Sequence, residues 1–147
     1  MSTFSQLRYH IIFGTKNRAK LIDRSWKDDL HDYMGGVING LGGQTLGIGG
    51  ISDHVHLLVS LKTNQPISDI VRELKKAASQ WIKENHNIGT FHWQEGYGAF
   101  TVSPSATKAV QDYINNQEEH HRNKTFAEEF REFLDKSEIP YDPKYLP

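Results

Sequence analysis

Apolar positions along the chain fall into two periods, one of two residues and one near 3.6. In "QLRYHIIFGTK" β-branched and aromatic residues crowd into a short run that then turns polar, which predicts a strand near residues 7–15. In "DRSWKDDLHDYMGGVINGLGG" the residues Leu30, Tyr33, Met34, Val37, Ile38 and Leu41 recur at helical spacing. Ser25 with Asp28 reads as a capping box for that helix, and Gly42-Gly43 as its stop. "QTLGIGGI" and "HVHLLVSL" read as strands joined at Ser52-Asp53, a predicted hairpin.

Pro66 opens a second helix that runs to about residue 86. Ile67, Ile70, Val71, Leu74, Ala78, Trp81 and Ile82 share one of its faces, with Arg72, Lys75, Lys76 and Lys83 on or beside the solvent side. "TFHWQEGYGAFTVS" predicts an aromatic-rich strand interrupted at Gly96 and Gly98. An amphipathic helix follows from near Pro104 to about His121, and "TFAEEFREFLDK" forms another, capped by Thr125 with Glu128. The tail, residues 138–147, is expected to be extended and weakly held. Strand, helix, strand, strand, helix, strand is the split βαβ order of an α+β, ferredoxin-like sheet. The expectation is one domain over 1–147, with its core at about 5–102 and added helices at about 104–137. Two helices cover one sheet face. The other is left for function or for the added helices.

Composition narrows the picture. The 147 residues suffice for one hydrophobic core. The formal net charge of −1 gives no global positive field, so any basic surface is local. With no cysteine, disulfides and thiolate metal sites are excluded. The N-terminal apolar run is too short for a signal-peptide core, and no segment reaches membrane-spanning length, so the expected location is the cytoplasm with no membrane partner.

Two stretches carry candidate chemistry. In "SDHVHLLVSL" side chains alternate between faces, so Val55, Leu57, Val59 and Leu61 point one way and His54, His56 and Leu58 the other. Two imidazoles at i and i+2 can bind one cation, or they can be a hydrogen-bonded pair on a half-exposed face. A third ligand has to come from elsewhere, because alternation sends Asp53 to the Val55 side unless the turn reorients it. In "AVQDYINNQEEHHRN" Tyr113 and Gln117 are i and i+4 and share a helix face with Ala106, Val110 and Ile114. Tyr113 is then either a core aromatic or a group held beside the histidines, with Gln117 offering an amide oxygen to a shared ion. Two imidazoles, an amide oxygen and water suit Mg²⁺ or Mn²⁺, with zinc as an alternative.

"DHVHLLV" followed by "YINNQ" resembles the HUH single-tyrosine transposases of the IS-two-hundred/IS-six-hundred-five type, with their REP-associated relatives. "YHIIFGTKNR", "IVRELKKAASQWI" and "FHWQEGYGAFTVS" resemble the first strand, the lysine-bearing helix and the last strand of that family, in order. Gly14 stands where a bulkier residue is more usual. The resemblance implies His54, His56 and Gln117 as metal ligands and Tyr113 as the nucleophile. It implies single-stranded DNA with hairpin ends as the partner and a 5′-phosphotyrosine link as the intermediate. It also implies a homodimer in which the tyrosine helix reaches the partner's histidines. No nucleotide cofactor is expected, and no GxxxxGK[ST] stretch is present.

Candidate phosphate contacts are Arg8, Lys16, Arg18, Lys20, Arg72, Lys75, Lys76, His121 and Arg122. Each is otherwise an ordinary solvated charge or, for His121, a cation at a helix C-terminus. Two other classes compete. One is a non-catalytic binder of single-stranded nucleic acid that stacks bases on Phe91, Trp93, Tyr97 and Phe100. The other is a metal-dependent nuclease that uses water. Tyr113 discriminates among them, because only the transposase needs its hydroxyl.

Overall fold

Alternation along the first strand decides how the chain is layered. In a computed structural model, which describes residues 2–146, strand β1 (Leu7–Gly14) sends Ile11 and Phe13 to one face and His10 and Ile12 to the other. The remaining strands are β2 (Gln44–Ile51), β3 (His54–Leu61) and β4 (Gly98–Thr101). They pair antiparallel in the order β2-β3-β1-β4, the ferredoxin-like arrangement expected. The central pairing sets Ile12 opposite His56 and Gly14 opposite His54.

Helices α1 (Arg24–Gly40) and α2 (Ile67–His86) lie on one face. Leu30, Met34 and Ile38 of α1 and Val71, Leu74 and Ile82 of α2 are buried against Ile11, Phe13, Val55, Leu57 and Val59. This is the main core. It agrees with the predicted stripes and with the predicted phase of β3. The start of α1 differs from the expected box: Asp23 is the cap, and its carboxylate accepts from Ser25 N at 2.8 Å. An ionised oxygen is the stronger acceptor there.

The aromatic strand is shorter than expected. Only Gly98–Thr101 pairs fully, and a single bridge joins Trp93 to Thr15. Phe91 and Trp93 turn into the main core, where both are buried against each other and Phe13. They offer no stacking platform, which removes half the surface the binding-module reading needed.

The second sheet face is covered by the C-terminal half. The helix expected over 104–121 is divided into a 3₁₀ turn (Pro104–Ala106), α3 (Thr107–Asn115) and α4 (Gln117–His120), with Asn116 non-helical at the break. Helix α5 (Phe126–Lys136) follows, capped as expected by Thr125, whose hydroxyl accepts from Glu128 N. Phe126, Phe130 and Leu134 pack on Ile12, and Ile114 packs on Leu58. Gly14 is explained here. A Cβ at that position would lie 2.5 Å from Phe126 Cε2, so a side chain would push α5 away. In the tail, Tyr141 donates to Asp135 and, with Leu146, packs on the α5 cluster, while residues 138–140 and 142–145 are exposed. Pro147 lies outside the described residues.

Candidate active site

Between the two apolar patches of the second face lies a buried polar centre. His54 and His56 stand side by side on β3, both fully buried, with ring centroids 5.1 Å apart. The break at Asn116 keeps Tyr113 and Gln117 over them. Gln117 Oε1 lies 3.0 Å from His54 Nε2. The structure adds His121, Glu129, His10 and Asp53. Glu129 Oε1 is 2.8 Å from His56 Nε2, 3.3 Å from His121 Nε2 and 3.4 Å from His54 Nε2. The other carboxylate oxygen, Oε2, accepts a very short hydrogen bond from the Tyr113 hydroxyl.

Each imidazole is oriented from behind. Asp53 Oδ1 holds His54 Nδ1 at 2.8 Å, the Lys124 carbonyl holds His121 Nδ1 at 2.6 Å, and His10 Nε2 meets His56 Nδ1 at 2.8 Å. All three Nε2 atoms therefore face the centre. Phe126 stacks flat on the His54 ring with centroids 4.2 Å apart. Donor atoms of His54, His56, His121 and Glu129 all lie within 4.8 Å of one another. Imidazole Nε2 atoms backed by acceptors, with a carboxylate among them, form the donor set of a divalent-metal site.

Electrostatics follow from burial and from this carboxylate. Burial drives His56 down to about 4, against the Glu129 hydrogen bond that raises it. Burial and the neighbouring His56 take His10 down to about 3. For His54 burial also disfavours charge, yet hydrogen bonds to Asp53 and Glu129 overcome it and raise the ring to about 9. Burial would raise Glu129, but bonds from His121, His54 and His56 hold it well below the usual carboxylate range. Tyr113 is pushed above the ordinary phenol, first by burial and then by the Glu129 bond and charge, so it keeps its proton at neutral pH.

The expected phosphate contacts divide by location. Lys20 and Arg122 line clefts that also contain His121, together with Arg24, Lys27 and Lys124, which sequence reasoning had not singled out. Lys16 and Arg18 are exposed on the 3₁₀ turn after β1. Arg8 ties β1 to α3 by donating to Thr107 Oγ1. Arg72, Lys75 and Lys76 belong to α2, on the far side of the sheet from the histidines. Lys75 there donates to the carbonyls of Gln94 and Gly96. His121 is buried within the histidine cluster rather than free at a helix end. Tyr113 lines a separate cleft with His120 and Lys124.

Glu129 and His10 are the site residues that sequence reasoning missed, and His121, read there as a phosphate contact or a helix-end cation, joins the histidine cluster instead. One signal was present: Glu129 falls on the stripe of Phe126, Phe130 and Phe133, where a carboxylate has no reason to be unless it is partnered.

A ferredoxin-like sheet carrying a His-x-His pair, with a tyrosine helix laid over it, is the arrangement that the resemblance to HUH-type proteins implies. The comparisons with known proteins agree. Residues 3–117 match the family described as "Transposase IS200 like", and the chain belongs to that family. It is 31% identical over 119 residues to the ISDra2 transposase TnpA of Deinococcus radiodurans, spanning 76% of this chain and 84% of that protein. A crystal structure of a candidate transposase from D. radiodurans R1 aligns with a TM-score of 0.64 at 27% identity, covering 80% of this chain and 95% of that one. A REP-associated tyrosine transposase, solved bound to a REP hairpin, shares the fold with a TM-score of 0.57 at 16% identity, over 78% of this chain and 70% of that chain. Among the described residues no helix is long and apolar enough to cross a membrane.

Proposed function

We propose that this chain cuts and rejoins single-stranded DNA, with Tyr113 as the nucleophile and His54, His56 and Gln117 holding a divalent ion, Mg²⁺ or Mn²⁺. The observation that carries the reading is one carboxylate with two engagements. Glu129 faces the histidine cluster through Oε1 and receives the Tyr113 hydroxyl through Oε2, so nucleophile and donor set are fastened together. When bound, the ion would neutralise charge on the scissile phosphate.

The chain's own residues do the rest. A phenol is a weak nucleophile while protonated, and burial here keeps it so. Glu129 aligns the hydroxyl through Oε2; held as a weak base by the histidines, it does not keep the proton, which passes on to solvent as the oxygen–phosphorus bond forms. The phosphorus–O3′ bond breaks, and the departing O3′ takes up a proton to become a free 3′-OH. The 5′-phosphate stays on Tyr113, so the bond energy is kept and no nucleotide is consumed. Attack by another 3′-OH reverses the step and completes strand transfer. Lys20, Arg24, Lys27 and Arg122 line clefts that also contain His121, which supports them as contacts to the backbone of the strand, although Arg24, Lys27 and Arg122 are paired with Glu118 and Glu119. A flexible single strand is the substrate, because its phosphate has to enter the cleft that Tyr113 lines with His120 and Lys124. A relative's complex with hairpin DNA supports hairpin ends as the recognised feature. The protein acts in the cytoplasm, at the nucleoid.

Tyr113→Phe tests the reading. The change removes one oxygen and keeps the ring stacked on His120. We expect cleavage to fall to background with DNA binding retained. If the variant still nicks a labelled single strand in the presence of Mn²⁺, water is the nucleophile and the nuclease reading stands instead.

A further inference from the structure

We infer that the segment beyond the tyrosine helix supplies two further ligands, His121 and Glu129, and that the enlarged donor set selects a transition-metal ion such as Mn²⁺ over Mg²⁺. This rests on the reading of His54 and His56 as metal ligands. Both added residues lie after residue 117, where the family match ends.

The hydrogen-bond inventory around the cluster calls for a positive centre. The Lys124 carbonyl can only accept, so His121 Nδ1 carries the proton in that 2.6 Å bond. A neutral His121 then presents a bare lone pair at Nε2. What it faces are two acceptors, Gln117 Oε1 at 3.1 Å and Glu129 Oε1 at 3.3 Å. At His54, Asp53 stands behind Nδ1 at 2.8 Å and the same two oxygens stand in front of Nε2 at 3.0 and 3.4 Å, acceptors that either a proton on Nε2 or a cation would satisfy. Gln117 is oriented with its amide nitrogen toward the Tyr113 carbonyl, which leaves its oxygen on the cluster. Lone pairs facing lone pairs in a buried space repel, and only added protons or a cation among them makes the arrangement favourable.

The spacing fits a cation as well as it fits hydrogen bonds. Donors about 2.1 Å from an ion and at right angles to each other lie about 3 Å apart. Five of the contacts made by Gln117 Oε1 and Glu129 Oε1 with the imidazole nitrogens run from 2.8 to 3.4 Å. Three imidazoles among five donors are too many for the water-rich, oxygen-dominated shell that Mg²⁺ keeps, and suit first-row transition metals. The Nδ1 partners Asp53, His10 and the Lys124 carbonyl form the supporting shell such ligands use.

The test is titration of the full chain with Mn²⁺, read by the EPR signal of free Mn²⁺. It is made on the unaltered protein, on His121→Asn, on Glu129→Gln, and on a His54→Ala/His56→Ala control. His121→Asn keeps a donor for the Lys124 carbonyl, and Glu129→Gln keeps the shape and the bond to Tyr113. We expect each of these two variants to weaken Mn²⁺ binding by about tenfold or more, and a large excess of Mg²⁺ to leave Mn²⁺ bound to the unaltered chain. Unchanged affinity in both variants, with binding lost in the control, overturns the added ligands and leaves the His54–His56 reading intact. Ready displacement by Mg²⁺ overturns the selectivity. No Mn²⁺ binding by the unaltered chain removes both readings. Pulsed EPR of the Cu²⁺-loaded unaltered chain decides independently of how the variants fold: three coupled imidazoles support the inference, and two contradict it.

Discussion

His31 is a buried imidazole that the chemistry does not use. It sits on α1 with Nε2 unpartnered, and burial together with Lys27 lowers it to about 4, against a smaller opposing pull from Asp28. The folded chain therefore binds fewer protons than the unfolded chain between about 4 and the ordinary 6.5. Stability from a neutral His31 is fully present above 6.5 and is lost as pH falls through 4. A lowering from 6.5 to about 4 corresponds to about 3 kcal/mol. Melting in EDTA at pH 7 and pH 4.5 should show His31→Met losing less stability on acidification than the unaltered chain. Equal losses would contradict this account. Legibility at this scale was uneven. His54 and His56 were readable because a two-residue period assigns faces without tertiary information. Glu129 and His121 were not, because their roles exist only once α5 and α4 have docked on β3, and no spacing in the sequence encodes that docking.

The tyrosine helix is seated by a strand without side chains at the point of contact. At Gly49 on β2 a Cβ would run into the carbonyl of Ile114, so α3 lies directly on the strand's backbone. Gln111 adds a bond from its amide nitrogen to the Leu46 carbonyl at 2.9 Å. Gly49→Ala should therefore lift α3, at a cost of about 1–3 kcal/mol of the kind that overpacking brings. DNA cleavage should fall more than stability does, because Tyr113 moves with the helix. A denaturant melt and a cleavage assay on the same preparation check this; wild-type values in both would show that α3 is not held as described. The two long helices and three of the strands were legible from their periods. The break at Asn116 was not, since "YINNQEEHH" continues a helical pattern and the chain bends to seat Gln117 on the histidines. The aromatic strand was over-read because Phe91 and Trp93 have strand propensity, while burial in the core decides their conformation.

At the scale of the whole molecule, moving a DNA segment requires two cut ends, and one Tyr113 holds one of them. We therefore propose a homodimer as the working unit. The family resemblance favours a tyrosine helix that reaches across to the partner; in this chain it lies on its own sheet, over its own His54 and His56. Sites assembled within each chain predict that mixing a His54→Ala/His56→Ala chain with a Tyr113→Phe chain restores no cleavage. Recovered activity in verified mixed dimers would show the reach across instead. The topology was legible because six elements in βαββαβ order admit few right-handed, unknotted arrangements. The covering of the second face was left open, since the sequence alone does not say where added helices dock. One measurement bears most directly on the whole account. The chain is incubated with Mn²⁺ and single-stranded hairpin oligonucleotides taken from the flanks of its own gene, and the denatured products are digested and sequenced by mass spectrometry. The account predicts an SDS-resistant adduct in which a DNA 5′-phosphate is joined to Tyr113, with a free 3′-OH on the released strand. Cleaved DNA with no protein attached, or an adduct on any other residue, would contradict it.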